Sequence, residues 1–281
     1  MKKKTLMILK NIRNPKSSYL IDAISLRWKK SGHEVFTYYG AKNLPAADIV
    51  VLHVDTTVVP DEYAECLSEY PVVLNRNVLN ISKTMFSRHI LREDDDYSGP
   101  VIIKTVANFG GVPEAALKRI PTKKMNGWAR RLLSPRRQWE SLDELNPNKY
   151  PIFENKEKIP SGVWKNDNLI VEKFLPERAD GLFFLRYWIF LGQKGWSGRF
   201  GAKVPIVKFR NMATKDEPVP VPDELKILRK RLGFDYGRFD FAEHKGETVI
   251  YDVNKTLGGT YHLEAYAAHL DMLATGIDTF L

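Results

Sequence analysis

The first 75 residues alternate short apolar runs with helical patterns, and this alternation restricts the fold more than any other feature. The run "ADIVVLHVD" is continuous, as expected for a strand that is covered on both faces. The earlier segment "SSYLIDAISLRWKKSG" has the apolar spacing of an amphipathic helix that ends at Gly32. Strands that are connected by crossover helices form parallel sheets, so we predict a small parallel α/β domain over residues 1–75.

The remainder of the chain changes character. Residues 161–281 consist mainly of apolar runs with strand character, interrupted by one helical pattern and closed by another. Residues 76–160 combine a predicted helix, capped by Asn80 or Ser82, with a strand and a glycine turn. Successive strands without crossover helices form antiparallel sheets. We therefore predict an α/β (α+β) chain in three parts, with boundaries at 1–75, 76–160 and 161–281.

Cysteine content and apolar run length restrict the environment of the chain. The single cysteine excludes an internal disulfide and a cysteine-rich metal site. The longest apolar run, residues 181–192, is broken by Arg186 and is far shorter than the roughly 20 residues that span a bilayer. The apolar stretch near the N-terminus is too short for a signal peptide, so we interpret it as a first strand. These features favour a cytoplasmic protein without a membrane partner; homo-oligomerisation stays open.

The net charge of +9 is concentrated in one segment. Residues 115–139 contain no acid but eight basic side chains: Lys118, Arg119, Lys123, Lys124, Arg130, Arg131, Arg136 and Arg137. With Trp128 and Trp139 available for stacking, one hypothesis is a nucleic-acid-binding protein, although the footprint is small for this chain. The other hypotheses are a lid whose arginines at 130, 131, 136 and 137 contact an acidic acceptor, and a solvated surface excursion.

Three oxygen-bearing side chains stand on two successive apolar strands. Asp252 and Asn254 are two residues apart and therefore project from the same face. Asp240 joins them if the hairpin loop has an odd length, such as the three residues 245–247, whereas a two-residue loop would place Asp240 on the opposite face. Two close carboxylates repel unless one is protonated or a cation lies between them, and Mg²⁺ prefers such oxygens. The alternative is that these side chains face solvent.

Lysines within apolar strands and helices are further candidates, because lysine is seldom buried without a partner. Lys104 ends a strand directly before the glycine turn, Lys83 lies in the preceding predicted helix, and Lys173 follows Glu172 in another strand. Each lysine has an alternative interpretation as an exposed position. In the N-terminal domain, residues 53–56 follow a buried strand, at the edge where parallel sheets bind ligands. For His53 alone, we favour a structural role.

The order of these segments resembles the ATP-grasp superfamily from Val72 to Leu257. "VVLNRNVLNISKTMFSRHIL" resembles the family's opening strand and first lysine helix. "PVIIKTVANFGG" resembles the second lysine strand and the glycine flap. "VEKFLPERADG" resembles the hinge that frames adenine, and "RFDF…VIYDVNKTLGG" resembles the metal hairpin. The resemblance implies a two-lobed ATP-grasp domain with antiparallel sheets behind the N-terminal domain.

The resemblance also implies roles for individual residues. Those that would bind ATP are Lys83, Lys104, Gly110, Gly111, Glu172, Lys173, Phe174 and Leu175, with Glu177 or Asp180 for the ribose. The metal ligands would be Asp240, Asp252 and Asn254. The phosphate-binding arginine has no unique position: the candidates are Arg186, Arg199 and Lys203, with Lys208 and Arg210 as competitors. Asp252 stands where the family usually has glutamate, and this shorter side chain weakens the case for two metal ions.

The activity that the resemblance implies is an ATP- and Mg²⁺-dependent ligase, with Mn²⁺ as an alternative ion. A small carboxylate would form an acylphosphate with release of ADP, and an amine would then displace phosphate. This chemistry needs positioning and charge neutralisation rather than a protein nucleophile, and the sequence has no persuasive Ser-His-Asp or Cys-His set. The alternatives are an ATP-grasp protein that binds nucleotide without ligating anything and the nucleic-acid-binding protein described above.

Overall fold

Three β-sheets organise the part of the chain that the computed structural model describes, residues 3–11, 19–118, 135–259 and 266–281. Each sheet takes its strands from one continuous stretch of sequence. The first sheet is parallel and the other two are antiparallel. The predicted α/β (α+β) organisation is therefore confirmed.

The N-terminal sheet has four parallel strands in the order β2-β1-β3-β4. Its strands are β1 (Thr5–Lys10), β2 (Glu34–Tyr39), β3 (Ile49–His53) and β4 (Val72–Leu74). Its helices are α1 (Leu20–Lys30) and α2 (Asp61–Cys66). Every residue of β3 is buried, as its continuous apolar run predicts. The chain continues from β1 to the edge strand β2, and from β3 to β4 at the other edge. The strand order therefore reverses between β1 and β3, and the carboxyl ends of these two strands form an edge suited to ligands.

The second sheet is antiparallel, in the order β5-β8-β6-β7. Its strands are β5 (Ile90–Leu91), β6 (Val101–Thr105), β7 (Ile152–Phe153) and β8 (Leu169–Lys173). Between β6 and β7, the described residues form two short α-helices, α3 (Val112–Lys118) and α4 (Pro135–Glu140). Strand β8, which carries the predicted hinge, pairs with β5 and β6, although the sequence analysis assigned it to the third part of the chain. The division at residue 160 remains a prediction.

The third sheet contains six strands, and its main path runs β12-β11-β10-β13-β14 with β9 paired to β10. The strands are β9 (Glu177–Ala179), β10 (Leu182–Leu191), β11 (Lys194–Ala202), β12 (Glu217–Pro218), β13 (Tyr236–His244) and β14 (Glu247–Asn254). Two helices follow the predicted patterns: α5 (Asp223–Leu232) and α6 (Ala267–Ala274). Within the described ranges, none of the helices has the length and apolar character needed to cross a membrane.

The apolar cores determine where a cleft can form. One core joins helix α1 and strands β1 and β3 to strands β10 and β11 and helix α6, so the N-terminal unit and the third sheet pack as one body. The Trp28 indole N–H, which donates to the Ala274 carbonyl oxygen at 2.9 Å, reinforces this contact. The second sheet has a separate core. Ligand-sized space therefore lies between the second sheet and the body formed by the other two.

The predicted helix around Lys83 is wrong. Only a single 3₁₀ turn, Lys83–Met85, forms there. The Lys83 backbone N–H donates to the Val106 carbonyl oxygen at 3.1 Å, and its ammonium donates to the Ala107 carbonyl oxygen at 2.9 Å. These tertiary hydrogen bonds hold the segment against the end of β6, so the sequence preference for helix is overridden.

Candidate functional site

The hairpin of β13 and β14 places the three predicted oxygen ligands side by side. Asp240 pairs directly with Asp252, and Asn254 lies two residues further along β14. All three side chains line one cavity. The hairpin therefore presents two carboxylates and one amide oxygen to the same space.

The expected pairing of Asp240 with Asp252 forms, but a bulge rather than a three-residue loop produces it. The loop contains only Lys245 and Gly246, with φ of 50° and 83°, so the prediction of a three-residue loop is wrong. Left-handed residues at both positions fit a favoured two-residue hairpin turn. The register shifts between Asp240 and Phe241, and Tyr251 is the additional residue on β14. This bulge brings Asp240 back opposite Asp252, because a bulge sets two residues of one strand against one of the other.

The carboxyl group of Asp252 is short of compensating partners. Burial raises its pKa; Lys83 opposes this shift, whereas the neighbouring carboxyl of Asp240 adds to it. The Val253 backbone N–H donates to one of its oxygens at 3.1 Å. Asp240 itself accepts a hydrogen bond from Arg238 Nε at 2.6 Å. A cation beside Asp252 would relieve both the desolvation and the repulsion.

The oxygen set fits a hard divalent cation. Asn254 Oδ1 accepts a hydrogen bond from Asn108 Nδ2 at 2.7 Å, which orients the amide. The described residues contain no group of three or more His, Cys, Asp or Glu side chains that could hold a metal ion. A metal would therefore rely on two carboxylates and an amide, a donor set suited to Mg²⁺ with further ligands from a phosphate.

Two buried lysines lie beside these oxygens. Lys83 is only 2% exposed, and burial lowers its pKa while Asp252 opposes that shift. Lys104 forms an ion pair with Glu172 at 2.6 Å. Both lysines line one cleft together with Asp240 and Asp252. The site thus concentrates cationic and anionic groups that a charged ligand could rearrange.

The predicted hinge lines the same cleft beside Lys104. It comprises the end of β8 and the residues that follow, and its cleft-lining members are Glu172, Lys173, Phe174 and Leu175. Glu172 Oε1 is buried and has no hydrogen-bond partner among the described residues. The Tyr251 hydroxyl donates to the Leu175 carbonyl oxygen at 2.8 Å and so connects the bulge of the metal hairpin to the hinge.

The predicted glycine flap is a short turn, Asn108–Gly111. Gly110 and Gly111 have φ of 68° and 74°, and both pack closely on the returning chain at residues 143–145. A Cβ on Gly110 would lie 2.2 Å from the Leu145 carbonyl oxygen, so only glycine fits there. These glycines therefore allow the protein's own backbone, at residues 143–145, to approach the turn closely. Their contact with phosphate remains a prediction.

The two arginines proposed for phosphate lie in a separate cluster. Glu177 accepts hydrogen bonds from Arg186 Nε at 2.8 Å and from Arg199 Nε at 2.7 Å. Lys203 is exposed after the end of β11, and Asp180 is exposed in the turn between β9 and β10. None of these five residues lines the cleft of Lys83 and Lys104 or the cavity of Asp240, Asp252 and Asn254. Their roles with ribose and phosphate remain predictions.

The cavity lined by Asp240, Asp252 and Asn254 is a second cleft, and it meets the first at Asp240 and Asp252. Five residues line both: Phe109, Leu185, Lys208, Asp240 and Asp252. The second cleft extends to the carboxyl end of β3, where Asp55 and Thr56 line it while His53 is buried beneath. The Thr256 hydroxyl, two residues after the end of β14, donates to Asp55 at 2.6 Å. A second reactant placed here would lie next to the metal oxygens.

Arg238 was missed by the sequence analysis. It lines the second cleft, and its guanidinium carbon lies 5.0 Å from the ring centre of Tyr187 and 5.2 Å from that of Phe209. The signal was present, since Arg238 is two residues before Asp240 on one strand and must share its face. Lys208, which was only a competing candidate, also lies at the site.

The basic segment falls mostly outside the described residues. Arg130 and Arg131 lie outside them, and so do the side chains of Arg136 and Arg137, although the backbone at 135–140 is helical. The proposed contact of these four arginines with an acceptor therefore stays a prediction.

No protein-family model matches the sequence, and no curated protein matches it. Solved structures do match the fold. A RiPP-associated ATP-grasp ligase from Chryseobacterium gregarium, in complex with ADP and a leader and core peptide, aligns with a TM-score of 0.58 and 10% identity. That alignment covers 99% of this chain and 97% of the ligase.

Two further structures show the same likeness. The RimK domain ATP-grasp protein from Sphaerobacter thermophilus DSM 20745 has a TM-score of 0.55 and 13% identity, with 98% of both chains covered. The macrocyclase MdnC from Microcystis aeruginosa MRC, bound with the precursor peptide MdnA, has a TM-score of 0.53 and 12% identity, covering 96% of this chain and 98% of MdnC. Together with the sheets and clefts described above, these near full-length likenesses show that the chain has the fold of the ATP-grasp superfamily.

Proposed function

We propose that this protein is an ATP- and Mg²⁺-dependent ligase that joins a carboxylate to an amine through an acylphosphate. One observation carries the proposal: Asp240 and Asp252 lie where a lysine-lined cleft meets a second cleft. Such a junction can hold a nucleotide on one side and its reaction partner on the other. The structural neighbour from Chryseobacterium gregarium bears the name of an ATP-grasp ligase, which supports this assignment.

The first cleft would bind ATP. The free Glu172 Oε1 suits an exocyclic amino group of the base, and Phe174 and Leu175 supply an apolar wall. Lys83 and Lys104 are positioned to neutralise phosphate charge beside Asp252. Lys173 lines this cleft with Phe174 and Leu175, and its ammonium lies 5.1 Å from the Tyr97 ring centre.

Asp240, Asp252 and Asn254 would hold Mg²⁺, for which Mn²⁺ is the expected substitute. When bound, such an ion neutralises phosphate charge during transfer. The protein's own part is to orient the reactants and to supply fixed positive charge. We assign the positive charge near the transferred phosphoryl group to Arg238 and Lys208, because both line the second cleft with Asp240. Arg186 and Arg199 could serve only after leaving Glu177.

The reaction would run in two steps. A carboxylate in the second cleft attacks the γ-phosphorus, forms an acylphosphate and releases ADP. An amine then attacks the acyl carbon, and inorganic phosphate leaves. The neighbours' names include peptide-bound enzymes, so peptides are to be tested as substrates alongside small carboxylates and amines.

The first test is ligand-dependent melting. A ligand that binds only the folded state at 100 times its Kd stabilises that state by about 2.7 kcal/mol. We therefore expect Mg-ATP and Mg-ADP to raise the melting temperature of the wild-type protein, and Lys104→Met or Lys173→Ala to reduce that increase. Ile227→Ala, a change on the exposed side of α5, is the control.

The second test measures ADP release from Mg-ATP over paired panels of carboxylates, amino acids, short peptides and amines. Release that requires both a carboxylate and an amine supports the ligase. A melting shift without release for any pair would support a nucleotide-binding protein instead. Absence of both signals would contradict the assignment of the clefts.

A further inference from the structure

An aromatic side chain in an unfavourable conformation stands where the two clefts meet. Phe109 has φ of 46° and ψ of 41°, in the left-handed region, which bulky residues seldom occupy. Its side chain is nevertheless 53% exposed. Among the described residues, it belongs to none of the four apolar clusters. The fold therefore gains little packing in return for this backbone strain.

The surrounding chain fixes this conformation. On one side, Asn108 is buried, its backbone N–H donates to the Thr57 hydroxyl at 2.7 Å, and its side chain donates to Asn254. On the other side, Gly110 and Gly111 are held against residues 143–145. Phe109 thus projects from a turn that is anchored at both ends. Strain of this kind persists where the structure over-determines it, and it is concentrated at functional sites.

The position of the ring indicates what it does. Phe109 lines the nucleotide cleft and also the second cleft, together with Lys208 and the two carboxylates of the metal hairpin. Between these clefts the phosphoryl group would pass from nucleotide to carboxylate. An apolar side chain at this junction offers neither a charge nor a hydrogen bond to the reactants. What it can do is occupy space that water would otherwise fill.

We propose that Phe109 keeps water away from the site of phosphoryl transfer. This inference rests on the proposed ligase function. A water molecule that attacked the γ-phosphorus would form a P–O bond and break the bond to ADP, giving ADP and inorganic phosphate. A water molecule that attacked the acylphosphate would release phosphate and regenerate the carboxylate. Either event consumes ATP without forming an amide, so excluding water protects the coupling of the reaction.

The test compares variants that remove the ring with one that keeps it. Phe109→Ala and Phe109→Gly remove the ring, and glycine also relieves the strain. Phe109→Tyr keeps the ring, and Ile227→Ala removes an exposed apolar side chain that lines neither of the two clefts. For each protein we would measure ADP release from Mg-ATP without added carboxylate or amine, Mg-ADP affinity by calorimetry, and the melting temperature.

We expect both ring-removing variants to release ADP about fivefold faster than the wild type, as a wetter site would allow. Their Mg-ADP affinity should stay within about threefold, because the anchored parts of the turn are unchanged. Phe109→Tyr and Ile227→Ala should both release ADP as slowly as the wild type. A melting temperature of Phe109→Gly at or above that of the wild type would show that faster release is not due to unfolding.

Unchanged or slower ADP release in both ring-removing variants, with Mg-ADP affinity intact, would overturn the proposal. A fall in Mg-ADP affinity of more than about tenfold would overturn it as well, since the ring would then be a nucleotide contact. Failure of the wild-type protein to bind Mg-ADP would refute the proposed function, and this inference with it.

Discussion

Two clusters of acidic and basic side chains lie on the third sheet, and they differ in how completely their charges are matched. Glu177 accepts from two arginines and from the Glu243 backbone N–H at 3.0 Å. Asp252 faces a second carboxylate and receives a hydrogen bond only from its neighbouring backbone among the hydrogen bonds of the described chain. Glu177 is therefore held by side-chain hydrogen bonds, whereas Asp252 has lysines nearby but no side-chain hydrogen bond among the described residues.

The pKa values of the two acids shift in opposite directions. Burial raises the pKa of Glu177, but hydrogen bonds from Arg186, the Glu243 backbone and Arg199 outweigh burial and lower it overall. For Asp252 burial prevails, with help from Asp240, and the pKa rises despite Lys83. A buried acid that the protein satisfies stabilises the fold, whereas one that it leaves unsatisfied is a candidate for binding a cation. The comparison separates a structural cluster from a functional one.

The largest expected effect is on nucleotide binding. Asp252→Asn removes a carboxylate that would hold the metal, so the affinity for Mg-ADP should fall by more than about 100-fold, beyond the effect of a typical outer-shell change. Calorimetric titration with Mg-ADP measures this loss. Glu177→Gln is the matched control on the same sheet and should stay within about threefold of wild type. Equal losses in both variants would remove the distinction between the clusters.

The next effect is on stability. Glu177→Gln leaves Arg186 and Arg199 without their shared carboxylate, and breaking a largely buried ion pair of this kind should cost about 2–3 kcal/mol. Urea unfolding followed by far-UV circular dichroism would measure the loss. Lys226→Ala, which removes an exposed ion pair with Asp223, should change stability by less than about 0.5 kcal/mol. If the two variants lost equal stability, Glu177 would not be the structural anchor described.

The smallest effect is a pH dependence with opposite signs. The lowered pKa of Glu177 adds stability above the unfolded value of about 4.3, and this stability is lost as the pH falls through the folded pKa. The raised pKa of Asp252 acts in reverse: stability is highest below about pH 3.9 and is lost as the pH rises through the folded value.

In metal-free buffer, Asp252→Asn should therefore be more stable than wild type at neutral pH, by about 1 kcal/mol, a common gain when a functional group is replaced. That advantage should disappear near pH 4, where the deficit of Glu177→Gln also shrinks. Melting curves at several pH values would check both trends. An advantage of Asp252→Asn that grew as the pH fell would contradict the assignment of Asp252 as the unsatisfied acid.

Local sequence patterns predicted most strands and helices correctly. The uninterrupted apolar run at β3 and the helical pattern at α5 are local signals, and both elements form where expected. The turn around Lys83 is different, because its backbone is held by Val106 and Ala107 rather than by its own helical hydrogen bonds. No local pattern records those partners.

The sequence by itself determined that Asp252 and Asn254 share a face, because side chains alternate along a strand whatever surrounds it. It also placed Arg238 beside Asp240 by the same rule. Whether Asp240 joins Asp252 was decided only in the tertiary structure, where a bulge at Tyr251 compensates for a two-residue loop. A bulge depends on how a strand meets its partner, and the hydroxyl of the bulged Tyr251 donates to the distant Leu175 carbonyl oxygen. Contacts between residues distant in sequence fixed that choice.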